Sequence, residues 1–116
     1  MEIIKKDISC CNEKERQEID HFIEDHNGLI FHETAFNHIV SESFNTELSY
    51  FLALKKDQLI GICPVHTIKK GLLRHTYSNP AIFEIPYGGW VFDTKEVAIE
   101  ALIKHIKPSF NEIFIY

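Results

Sequence analysis

Leu48-Ser49-Tyr50-Phe51-Leu52-Ala53-Leu54, then Lys55-Lys56-Asp57-Gln58, then Leu59-Ile60-Gly61-Ile62-Cys63-Pro64-Val65-His66-Thr67-Ile68 decide the fold. Two runs of aromatic, aliphatic and β-branched residues flank a short polar break. That pattern predicts a strand, a hairpin turn and a second strand. Gly61 and Pro64 interrupt the second run. Glycine brings no side chain to pack and proline no N–H for a ladder, so the pair predicts a bulge or an edge position.

Toward the N-terminus, Glu2 to Lys5 reads as a short first strand. Asn12 with Glu15 three residues on has the form of a capping box. The helix it opens carries Ile19, Phe22 and Ile23 on one face and acidic residues elsewhere. It is expected to stop at Asn27-Gly28, with the glycine in the left-handed conformation. Leu29-Ile30-Phe31 bridges to a second helix from about Thr34 to Phe44. Phe36, Ile39, Val40 and Phe44 recur there at helical spacing and predict its buried stripe.

Toward the C-terminus, Gly71 opens a turn, Leu72 to Tyr77 reads as a third strand, and Ser78-Asn79-Pro80 breaks it. Ala81 to Phe92 is aromatic-rich and interrupted by Pro86 and Gly88-Gly89, which predicts a strand, a tight turn and a short strand. Asp93 and Glu96 then resemble a cap for a helix through Val97, Ile99, Leu102, Ile103 and Ile106, ended by Pro108. Ile113 to Tyr116 is a last β-prone run. The order β-α-α-β-β-β-α-β predicts an α+β fold with a mainly antiparallel sheet of five to six strands and three helices. Residues 1–116 read as one domain.

Composition narrows the function. With 45% hydrophobic and 25% charged residues the chain is of ordinary globular type. Its net charge of −5 makes attraction to DNA or an anionic membrane weak. The basic pairs Lys55-Lys56 and Lys69-Lys70 read as solvated turns. No apolar run approaches the roughly 20 residues of a membrane helix, and Met1 to Lys6 has no apolar segment of secretory type. Cys10, Cys11 and Cys63 form no disulfide spacing, and together these features predict a cytoplasmic protein.

Catalytic and metal patterns are not met. His21 and His26 stand five apart and His32 and His38 six apart, so neither pair stacks on one helix face as zinc ligands do. The seven histidines read as scattered surface or half-buried residues, and no metal site is expected. No Gly-x-Ser-x-Gly elbow surrounds any serine. Cys63 and His66 would point to opposite faces of a strand. Gly88-Gly89 precedes a helix as a phosphate loop does, but Trp90-Val91-Phe92 intervenes and Asp93 would repel an anion. Pro86-Tyr87-Gly88-Gly89-Trp90 remains the strongest local feature. Its glycines permit close backbone approach and its aromatics suit a groove for an extended ligand, or a tight turn packed on the sheet.

Three stretches carry a resemblance: Leu29-Ile30-Phe31-His32-Glu33-Thr34-Ala35-Phe36, Leu59-Ile60-Gly61-Ile62-Cys63-Pro64-Val65, and Pro86-Tyr87-Gly88-Gly89. In that order they resemble the N-terminal half of FemAB-like transferases, within the GNAT superfamily and including BioF2-like acyltransferases. Phe36 stands where tryptophan is common in that group. The resemblance implies a GNAT-like fold and transfer of an acyl or aminoacyl group to an amine, a cell-wall precursor being a frequent acceptor. Acyl-coenzyme A or aminoacyl-tRNA would be the donor, held mostly by a second domain or chain outside these residues. The GNAT pyrophosphate run, Gln/Arg-x-x-Gly-x-Gly/Ala, does not occur.

The expectation is therefore an acceptor-binding half, incomplete as a catalyst alone and without a cofactor of its own. Phe31, His32, Tyr87, Gly88, Gly89 and Trp90 are its expected substrate-binding residues, and no residue is assigned to catalysis. Two other readings stay open. One is a non-catalytic interaction module of GNAT-like shape; the other is a homodimer through an exposed sheet edge.

Overall fold

The structure, a computed structural model, describes residues 2–77, 90–93 and 112–115. It is α+β. Strand β1 (Glu2–Asp7) leads through a 3-10 turn (Ile8–Cys10) to helix α1 (Glu13–Asp25). A second 3-10 turn (Ile30–His32) precedes helix α2 (Thr34–Phe44). Strands β2 (Glu47–Lys55), β3 (Gln58–Lys70) and β4 (Leu73–Tyr77) follow, then β5 (Val91–Phe92) and β6 (Glu112–Ile115). The third helix expected from Asp93 onward lies outside the described residues, as do Tyr87, Gly88 and Gly89.

β1, β2, β3 and β4 run antiparallel in that order, and β6 lies parallel beside β4. The hairpin forms at the expected place. Lys55 pairs with Gln58, and the two turn residues Lys56 and Asp57 both take positive φ, as a hairpin of this length requires. Lys69 and Lys70, expected in a turn, instead complete β3, whose twist carries Lys69 to the Glu47 carboxylate at 3.2 Å.

Gly61 and Pro64 are explained separately. β3 is central rather than an edge. Ala53 faces Gly61 and Leu54 faces Leu59, so Ile60 is the extra residue of a bulge. β3 also changes neighbour along its length, pairing with β5 at Gly61 and Ile62 and with β4 from His66 onward. Pro64 falls between those two ladders, where neither β4 nor β5 calls for its missing N–H. The Phe92 ring lies directly over Gly61: a Cβ there would stand 2.6 Å from Phe92 Cδ1 and 3.3 Å from the Ala53 Cβ.

The helices cover one face of the sheet. Ile19, Phe22 and Ile23 of α1 pack with Ile8, Leu48, Tyr50, Ile62 and Val91 as the main core. Opposite, Phe51, Cys63 and Val65 are buried with Ile3 and Trp90 against them. Both faces of β2 and β3 are thus covered, which accounts for their nearly unbroken apolar character. Cys63 and His66 point to opposite faces as expected, and burial pushes the Cys63 thiol up, leaving it a small hydrophobe.

Two helix details differ from expectation. The α1 capping box at Asn12 and Glu15 is present. At its other end Asn27, not Gly28, takes the left-handed conformation, with φ of 59°. Gly28 serves closeness instead: its N–H reaches the Ile23 carbonyl at 2.8 Å, and a Cβ would meet Ile23 at 2.4 Å. In α2 the buried residues are Thr34, Asn37 and Val40, whereas Ile39 is 62% and Phe44 49% exposed. The apolar stripe is displaced because a polar residue, Asn37, holds the core-facing position.

Gly61→Ala is expected to cost about 1–3 kcal/mol by forcing the Phe92 ring aside. Urea unfolding of the single variant and of Gly61→Ala combined with Phe92→Leu checks this. Removing the ring should recover most of the loss, and strictly additive losses would contradict the contact.

Candidate functional site

His66 on β3 is fully buried and meets two partners. Its Nε2 lies 2.8 Å from Asn37 Oδ1 and its Nδ1 2.8 Å from Thr46 Oγ1. The Asn37 amide nitrogen donates at 2.9 Å to the carbonyls of Phe31 and Glu33, and more weakly to Tyr50 Oη at 3.3 Å. Carbonyls only accept, so they fix which end of Asn37 faces them and leave Oδ1 toward the histidine. His66 must then donate from Nε2 and accept from the Thr46 hydroxyl at Nδ1. It is neutral and fully satisfied. Burial lowers its pKa to about 4.

Tyr50 completes the cluster by donating to the His32 carbonyl at 2.7 Å. Burial above all holds its phenol well above the usual range, so it stays protonated. The carbonyls of residues 31, 32 and 33 are therefore all held by side chains beneath them. Asp20 of α1 secures the next step, accepting from the Thr34 N–H at 2.9 Å and its hydroxyl at 2.7 Å. A carboxylate from another helix supplies the cap that Glu33 does not.

This arrangement places the residues expected to bind substrate. His32 is buried, its Nδ1 accepting from the Leu29 N–H at 3.0 Å, and Phe31 meets Phe36 edge-on at 5.2 Å. Trp90 lies on the opposite face of the sheet, parallel to Phe92 at 4.8 Å and to Phe51 at 6.2 Å. Phe31 and His32 are therefore together, and Trp90 is apart from them. The reading of all histidines as surface or half-buried is corrected for His32 and His66, because hydrogen bonds satisfy each ring inside the core.

Sequence reasoning did not assemble the groove between α1 and the β2–β3 hairpin. It encloses about 410 Å³, within the usual range for a small-molecule site. Ile19, Phe22, Leu52, Leu54 and Leu59 supply its apolar lining. Lys6, Glu15, Glu18, Asp25 and Asp57 contribute charge around it, with His21 and His26. Lys6 pairs with Glu15, a bond that holds the lysine above and the carboxyl below their usual ranges. His26 stacks on Phe22 with centroids 4.0 Å apart, and its Nδ1 lies 2.9 Å from the Phe22 carbonyl. A carbonyl only accepts, so Nδ1 carries a hydrogen. Glu15, Glu18, Phe22 and Asp25 recur at helical spacing, the one sequence signal that these side chains share a face.

Cys11 also lines the groove, and burial, with Glu15 second, raises its thiol pKa, so it is a poor nucleophile. Among the described residues, no group of three or more His, Cys, Asp or Glu side chains is placed to hold a metal ion. No helix among them is long and apolar enough to cross a membrane. Compared with protein-family models, curated proteins and solved structures, the chain matches none.

The neutral burial of His66 gives stability a pH dependence. Above pH 6.5 both folded and unfolded chains hold this ring neutral. As pH falls from there toward 4, the unfolded chain takes up a proton that the folded chain refuses. Stability should drop across that window by on the order of 3 kcal/mol from this group. Urea titrations at stepped pH check it. His66→Gln should be less stable at pH 7.5 yet show a shallower fall on acidification; an unchanged slope would contradict the assignment.

Proposed function

We propose that this chain is the acceptor-binding part of a FemAB/GNAT-like N-acyltransferase, acting in the cytoplasm with a donor-binding domain or chain beyond these residues. The observation that carries the reading is the parallel β4–β6 pair within an otherwise antiparallel sheet. Parallel neighbours need a crossover, usually helical. The connection from Tyr77 to Glu112 contains the run from Asp93 to Ile106 that reads as an amphipathic helix. With the β-α-α-β-β-β order before it, this agrees with the GNAT-like arrangement that the resemblance implies.

Acyl transfer to an amine needs an acceptor held in place, a base to deprotonate it and donors for the tetrahedral oxyanion. Within the described residues the groove beside α1 offers the first of these. Its unpaired carboxylates favour a cation and its apolar lining favours a carbon chain. Acyl-coenzyme A or aminoacyl-tRNA would enter with the other part of the enzyme.

The test compares a short peptide bearing a free lysine ε-amine with the same peptide acetylated at that amine, and with acetyl-coenzyme A. Binding at 100 times Kd should stabilise the chain by about 2.7 kcal/mol, which raises the melting temperature by several degrees. A rise is expected for the free amine only. A rise with acetyl-coenzyme A alone would assign the donor side to this chain, and no rise with either would favour the interaction-module reading.

A further inference from the structure

Glu18, Asp25 and Asp57 line the α1–hairpin groove, and their carboxylates have no hydrogen-bond or ion-pair partner among the described residues. The lysine on the same wall, Lys6, is already held by Glu15. The groove therefore joins an apolar lining to a rim with an uncompensated negative charge. The two observations are independent: one comes from the packing of Phe22, Leu52, Leu54 and Leu59, the other from exposed side chains on α1 and the hairpin turn.

We propose that this groove binds a small amphipathic amine, its hydrocarbon body lying on those apolar side chains and its ammonium group at the rim that the three carboxylates make negative. An anion would meet them unpaired, and a neutral hydrocarbon would gain nothing from them. A metal ion would have no use for the lining. The carboxylates stand on two walls of the groove, Glu18 and Asp25 on α1, about 10 Å apart along its axis, and Asp57 on the β2–β3 turn, so the rim is negative along its length. His26 is pinned to Phe22 by ring stacking and by its Nδ1 bond to the Phe22 carbonyl, which fixes one wall of the groove. The inference rests on the acceptor reading only where it makes the bound amine a substrate; the binding itself stands on the groove.

The experiment titrates the full chain with 2-phenylethylamine, 2-phenylethanol and 3-phenylpropionate, following amide shifts by NMR. The amine should saturate, with shifts centred on α1 and the Lys55–Gln58 turn, and should bind about tenfold more tightly than the alcohol. The triple variant Glu18→Gln, Asp25→Asn, Asp57→Asn should lose about that factor for the amine and none for the alcohol. A control triple, Glu13→Gln, Glu24→Gln, Glu42→Gln, makes the same change in net charge away from the groove and should bind the amine as the parent does. Equal binding of amine and alcohol, an equal loss in the control, or no saturation would overturn the proposal. Lysyl-peptide binding that survives the groove triple would sink this site while leaving the acceptor reading intact. Amine binding in the groove without lysyl-peptide binding would do the reverse.

Discussion

The Asn37 side chain decides how the helical layer meets the sheet. Its amide nitrogen donates to the carbonyls of Phe31 and Glu33, and its oxygen accepts a hydrogen bond from His66 in the middle of β3. Tyr50 reaches from β2 to the carbonyl between those two. A segment that turns sharply between helices has carbonyls facing inward, where water cannot serve them. One strand, through Tyr50, and one helix, through Asn37, serve them instead. Each neutral bond is worth only about 1 kcal/mol net, but leaving one buried partner unpaired costs about 1–3 kcal/mol. The cluster therefore specifies one position for α2 more strongly than it stabilises the fold.

That constraint explains why α2 presents Thr34, Asn37 and Val40 inward and leaves Ile39 and Phe44 exposed. Rotating α2 to bury Ile39 would withdraw Asn37 from three inward acceptors and strand His66. Helix α1 is fixed differently. Its apolar stripe packs on Leu48, Tyr50 and Ile62, while polar ties hold its first half. Lys6 binds Glu15, Arg16 donates to the Ile8 carbonyl at 3.2 Å, and Asp20 caps α2. Few such ties reach its last turn, where the groove opens against the hairpin.

Local patterns were legible in the sequence, and interactions between distant residues were not. The hairpin, the capping box of α1 and the span of α2 depend on neighbours within a few positions, so spacing and residue type predict them. Gly61 showed that something interrupts β3 but not what; the ring of Phe92 comes from thirty-one positions away. Asp20 looked like any acidic residue of a solvated helix because the N–H and hydroxyl of Thr34 that it holds lie fourteen residues on. Asn37 and His66, twenty-nine residues apart, read as ordinary polar residues until the fold brought them together. Phe31 and His32 were singled out by resemblance, while the carboxylates of the groove stood in plain view as helix and turn surface.

Those carboxylates are placed where the fold gains least from them. On an exposed helix face, a carboxylate without a lysine four residues on forgoes a few tenths of a kcal/mol. α1 has no such lysine, and no basic residue stands in its last turn. Acidic groups at that end also oppose the helix dipole, which favours cations there. A cation seated in the groove would relieve both penalties at once, meeting the carboxylates and the negative end of the helix together. The same two terms thus become favourable when an amine is bound, so occupancy should stabilise the last turn of α1 further.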